Sequence, residues 1–195
     1  MKKFFLLCLF LLHGCVNAPV TQFYSLEALT PPQTISAKNE KQPLVGISQI
    51  SLPSALERKQ LVSRDLKGQL QLHEQHQWAA LLKQNMTEVV AKNLAFQQPH
   101  VWFKAHPWSL LGKVDYRLVM DVTRLDIFLG KTIDFSVDWI FLNEKNHAIL
   151  QHDTIVLTLP LADENVATAV SGLNTLLSQL CEKLALNLPI LENQK

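Results

Sequence analysis

The sequence predicts an α+β domain, and three observations carry that prediction. Alternation of period two runs through the middle of the chain, an apolar stripe at helical spacing precedes it, and a second such stripe closes it. Strands, a helix, a meander of longer strands and a final helix predict a two-layer domain, a mainly antiparallel sheet with two amphipathic helices on one face. With 195 residues and 48% hydrophobic content, the chain has the composition of one domain with a real core. The predicted boundaries are 1–14 for a signal peptide, 15–22 for a tether, 23–190 for the domain and 191–195 for a tail.

Lys2 and Lys3 open the chain and an apolar run, Phe4 to Leu12, follows. The run suits the apolar region of an export signal and is well short of the roughly 20 residues of a membrane-spanning helix. Leu12-His13-Gly14-Cys15 ends it in the order of a bacterial lipoprotein signal, in which a small residue, here Gly14, stands before a Cys whose thiolate takes a diacylglycerol. Cleavage between Gly14 and Cys15 removes both lysines, leaving 16 basic against 17 acidic residues. Such a near-neutral chain lacks the basic excess that nucleic-acid binding requires, and no nucleic-acid partner is predicted. Of the cysteines, only Cys15 and Cys181 then remain; Cys15 is consumed by lipid, and Cys181 sits on an apolar helical face as a buried small hydrophobe.

Gln22 to Leu26 reads as a first strand with Tyr24 and Leu26 on one face, and the proline-containing polar stretch 30–43 reads as a loop. Leu44 to Ile50 is a second strand, stopped by Leu52-Pro53. Weaker alternation at 59–63 and 68–73 predicts two short strands. From Gln77 to Phe96, Trp78, Leu81, Leu82, Met86, Val89, Val90 and Leu94 recur at helical spacing opposite Lys83, Glu88 and Lys92. His100 to Lys104 is a strand around Trp102, and Pro107-Trp108 with Gly112 marks a loop. Between Asp115 and Phe128 the inward set Tyr116, Leu118, Met120, Val122 switches parity to Leu125 and Ile127, which predicts a β-bulge near Thr123. Gly130-Lys131 turns into the alternating strand Thr132 to Leu142, Asn143 to Asn146 turns again, and Ile149 to Leu159 is the last strand. After Pro160, Asp163 is positioned to cap a helix whose stripe runs from Val166 to Leu184.

Catalytic signatures are missing: no G-x-S-x-G, no phosphate loop, no H-E-x-x-H and no C-x-x-C. No catalytic residue, metal site or cofactor is predicted beyond the covalent diacylglycerol and N-acyl lipid on Cys15. His73 and His76 would meet on a helical turn, but no third ligand stands at a matching distance, and the segment reads as a loop before a helix. Asp134 and Asp138 share a strand face roughly 13 Å apart, too far for a direct acid–base pair, and with Asp121 they read as a solvated outer face. Trp102, Trp108, Leu110 and Leu111 gather aromatic and aliphatic side chains in a loop context and form the candidate partner interface; the alternative is that they cover the end of the core.

The order of features resembles the ABC-type transport auxiliary lipoproteins, the PqiC/YmbA-type family. The likeness rests on Cys15, Phe23-Tyr24-Ser25-Leu26, Val45-Gly46-Ile47, Leu52-Pro53 and Arg58-Lys59-Gln60-Leu61-Val62. It continues through Trp78, Asp115-Tyr116-Arg117-Leu118, Asp121-Val122-Thr123-Arg124-Leu125-Asp126, where the family often has Phe in place of Leu125, and Trp139. The resemblance implies a non-enzymatic lipoprotein serving an MCE-domain lipid-transport system, and a homo-oligomer. Val16 after the lipidated Cys, in place of the Asp that retains enterobacterial lipoproteins at the inner membrane, implies the inner leaflet of the outer membrane, facing the periplasm. Two other expectations stay open: a periplasmic carrier holding an acyl chain in its own cavity, and a periplasmic hydrolase.

Overall fold

The computed structural model describes residues 19–29, 42–108 and 112–189. The signal peptide with Gly14, residues 15–18 of the tether with Cys15, and the greater part of the 30–43 loop lie outside the described residues, as do Leu110 and Leu111.

The strands are β1 (Gln22–Tyr24), β2 (Leu44–Ile47), β3 (Gln60–Arg64), β4 (Leu70–Trp78), β5 (Trp102–Ala105), β6 (Tyr116–Phe128), β7 (Thr132–Asn143) and β8 (Ile149–Pro160). The helices are α1 (Leu82–Gln97) and α2 (Val166–Asn187). The α+β class is as the sequence predicts. The strands form two mixed sheets, a small one in the order β1-β4-β3 and a five-stranded one in the order β5-β2-β6-β7-β8. The long pairings β6–β7 and β7–β8 are antiparallel, whereas β2 runs parallel to both β5 and β6 because the chain crosses over through α1 before returning.

The core lies between the five-stranded sheet and the two helices, which pack side by side, α1 against β5 and α2 against β7 and β8. Ile133, Phe135, Val137, Trp139 and Phe141 alternate inward on β7, and Tyr116, Leu118, Met120 and Val122 do so on β6. The predicted bulge is there: register slips between Val122 and Arg124, returning Leu125 and Ile127 to the core side. Gly172 lets α2 sit down on the sheet, since a Cβ there would lie 3.0 Å from Leu159 Cδ2 and 3.1 Å from Ile133 Cδ1. Cys181 is fully buried with its sulfur 3.8 Å from the Val90 carbonyl, and burial pushes its thiol up.

Three local expectations are corrected. The first helix begins at Leu82 rather than Gln77, because Gln77 and Trp78 are held in β4 from both sides: Trp78 N–H donates to the Lys59 carbonyl and Tyr24 pairs alongside. His73 and His76 therefore lie on a strand and not in a loop. Finally, Asn165 caps α2, its Oδ1 accepting from the Ala167 amide, while Asp163 sits two residues earlier and accepts from the Asn165 amide.

Side-chain amides fasten the segment after β1 across the helices. Asn85 Oδ1 accepts from Leu26 N–H at 2.6 Å, Asn174 Oδ1 from Glu27 N–H at 3.0 Å and Asn93 Oδ1 from Leu29 N–H at 2.8 Å. A chain without a sheet partner thus has its backbone donors satisfied.

Ions tie the two sheets together. Asp126 on β6 takes Arg64 of β3 at 2.7 Å and Arg124 at 2.8 Å, and Arg124 reaches on to Asp134. Partial burial works to raise the Asp126 carboxyl, but the hydrogen bonds and charges of Arg124 and Arg64 outweigh it and hold it below the usual carboxylate range. A depressed carboxylate stabilises the fold above its unfolded value near 3.9 and loses that contribution as pH falls through its folded value. Asp126→Asn is therefore expected to cost about 1 kcal/mol at neutral pH, kept small by the exposure of both guanidinium groups. Melting curves of the two proteins should converge in acid, and a gap that persists there would mean that charge is not the cause.

Candidate partner-docking surface

The sheet face turned away from the helices carries the candidate interface. On β2, Val45 and Ile47 face the core, so Leu44 and Gly46 face outward, and the register places Leu44 beside Trp102 and Gly46 between Lys104 and Arg117. Trp102 is 49% exposed on β5, an edge strand of its sheet. Trp108 folds back over Gly46: a Cβ added at Gly46 would stand 3.1 Å from Trp108 Cε2. The glycine is thus the seat of the indole, which any side chain would lift.

Charge and rings hold that indole in place. The Arg117 guanidinium lies 5.9 Å from the centre of the Trp108 ring, while His106 meets the indole edge-on at 5.5 Å. Arg117 is ion-paired in turn with Glu144, its Nη2 donating to Oε2 at 3.0 Å and its Nε lying 2.6 Å from Oε1, which restrains the guanidinium beside the indole. Asp115 closes the end of the sheet, its carboxylate accepting from Leu44 N–H at 2.9 Å. Trp102 and Trp108 therefore share one face, on either side of the Leu44–Gly46 backbone, and the surface they form is preorganised.

The other residues singled out in the sequence have structural partners. His73 and His76 approach to 6.1 Å between ring centres where the pairing of β4 with β3 slips between His73 and Gln77, but His73 Nε2 is bonded to Ser63 Oγ and His76 Nδ1 to Tyr24 Oη, each at 2.8 Å. Burial, with the nearby charge of His76, lowers the affinity of His73 for a proton. Asp134 accepts from Thr158 and Asp138 from Thr154 on the outer face of β7, as a solvated face predicts. The register also sets Asp121 opposite Asp138, a neighbour relation that spacing along one strand does not reveal.

The sequence profile of the ABC-type transport auxiliary lipoprotein component matches residues 24–185. The chain belongs to that family. None of the curated proteins matches it. Among solved structures, the auxiliary lipoprotein is similar to an uncharacterized protein at TM-score 0.71 and 17% identity, covering 86% of this chain and 97% of the other. A protein from Xanthomonas campestris matches at TM-score 0.67 and 15% identity, over 85% and 93% of the two chains. At these identities the likeness establishes the fold of the auxiliary lipoprotein and nothing finer.

Proposed function

We propose that this transport auxiliary lipoprotein is held by acyl chains on Cys15 in the inner leaflet of the outer membrane, faces the periplasm, and docks the end of an MCE-type ABC lipid-transport assembly. The observation that carries the reading is the preorganised aromatic face: an exposed Trp102 beside a Trp108 pinned on Gly46 by Arg117 and His106. Exposed aromatics in a rigid setting are the usual anchors of protein interfaces, since they bury much area at little entropic cost. Family membership supplies the partner class, an ABC transport system; the MCE subunit and the outer-membrane location are the further step.

Carriage of a lipid inside the domain has less support. The layer between sheet and helices is filled by side chains at zero exposure, among them Leu118, Ile133, Leu173, Leu176 and Leu177. The cleft between β3 and β6 has a volume of about 160 Å³ and is walled by Arg64, Arg124 and Asp126, and a larger one of about 320 Å³ between the segment after β1 and the helices is lined mainly by polar side chains, among them Glu27, Asn93, Asn174 and Ser178. Ligand pockets for drug-sized molecules start at roughly 300 Å³ and are mainly apolar.

The test is capture of transport subunits from detergent-solubilised membranes by the mature domain, comparing the native protein with Trp102→Ala. Recovery of an MCE-domain subunit, reduced at least tenfold by the substitution, about 1.4 kcal/mol, is the expected result. Bound phospholipid without any transport subunit would replace docking by carriage, and turnover of an ester substrate would replace it by hydrolysis.

A further inference from the structure

We infer that the β3–β4 hairpin is a second membrane contact of the domain, its tip leucines seated in the same leaflet as the lipid anchor. The inference rests on the anchoring of Cys15 proposed above.

Direction comes from register. β1 is parallel to β4 with Gln22 opposite His76, so the chain before Gln22 heads toward the Leu70 end of β4. Leu70 lies six residues before His76, roughly 20 Å at the rise of a strand and somewhat less across the irregular stretch. Cys15 lies seven residues before Gln22, about 25 Å at full extension. A chain of that length, starting from Gln22, is therefore long enough to bring an acylated Cys15 to the level of the hairpin tip. The other side of β1 gives the same direction: Leu26 is bonded to Asn85 and Leu29 to Asn93, further along α1, toward Gln98 and its bond to Ala185. Followed backwards, the chain leaves the Trp102 end, and the candidate docking face points away from the membrane.

Chemistry at the tip fits a lipid surface. Leu66 is 73% exposed at the turn, and Leu70 and Leu72, at 45% and 43%, share a face of β4. The turn is tied: Asp65 Oδ1 accepts from the amides of Lys67 and Gln69, Arg64 Nη1 donates to the Gly68 carbonyl, and Gly68 takes φ +85°. A rigid turn that presents leucine outward with a lysine beside it places apolar groups at the acyl boundary and a cation near the phosphates.

The experiment places an environment-sensitive dye at Leu66→Cys and, separately, at Leu70→Cys in the acylated protein, reconstituted in phosphatidylethanolamine and phosphatidylglycerol vesicles. Cys15 is occupied by lipid and Cys181 is buried, so the introduced thiol takes the dye. Leu186→Cys, exposed on the last turn of α2 beside the Gln98–Ala185 contact, is the control. Expected are a blue-shifted emission and roughly twofold quenching by spin-labelled lipid at 66 and 70, as for burial of about 5–10 Å into the headgroup boundary, with neither at 186. Vesicles that float with the protein while 66 and 70 emit as in water, or emit blue without quenching by lipid, would overturn the hairpin contact and leave the anchor standing. If the protein neither floats nor carries acyl mass on its N-terminal peptide, anchor and hairpin contact fall together.

Discussion

Cys15→Ala is expected to transfer the protein from the membrane fraction to the soluble periplasm almost completely, the largest change any single substitution should produce. The physical reason is additive: each buried methylene contributes about 0.8 kcal/mol, one acyl chain binds only marginally, and several chains together hold a protein effectively for good. Hairpin contacts do not substitute for that anchor. Leu66, Leu70 and Leu72 are only partly apolar surface to bury, and at roughly 25 cal/mol per Å² they contribute less than one chain. Their effect is on orientation, which needs far less free energy than retention. Fractionation with immunoblotting, and the mass of the N-terminal peptide, give the answer. A Cys15→Ala protein that stays with membranes through high salt and alkaline washing would place the anchor elsewhere, and the docking geometry argued from it would have to be redrawn.

Much of the fold was legible because burial imposes period. β7 alternates Ile133, Phe135, Val137, Trp139 and Phe141 against polar residues, and the parity switch in β6 located the bulge at Thr123. Trp78 misled for a physical reason: an aromatic at the edge of a helical stripe fits either period, and pairing to Lys59 and β1 decided for the strand. Long-range partners were not legible at all. Asn85, Asn93 and Asn174 look like ordinary polar helix positions, yet they hold the backbone of residues 26, 27 and 29, and nothing local announces a partner up to 147 residues away. At the candidate interface, Trp102 and Trp108 could be named from composition. What joins them, Gly46 as the seat of the indole and Arg117 over its ring, follows only from the parallel register of β2 with β5 and β6.

Phe135→Ala should be the most damaging substitution in the folded domain. Phe135 is 1% exposed on β7, flanked in register by Leu125 of β6 and Leu157 of β8, on the same face as the Ile133 that touches Gly172 of α2. Truncation removes the transfer free energy of the ring and leaves a cavity that a central strand, paired on both sides, cannot collapse into. Such changes cost about 3–5 kcal/mol, a large share of the 5–15 kcal/mol that stabilises a domain. At this size the melting temperature should fall by roughly 10 °C. Trp102→Ala supplies the contrast: on an exposed edge it should move stability by less than about 0.5 kcal/mol while weakening capture of the partner. Two substitutions of large aromatics thus separate folding from docking. A Phe135→Ala protein that melts within a degree or two of the native one would show that the sheet–helix layer is not the core of the domain, and a Trp102→Ala protein that unfolds would return that residue from the interface to the fold.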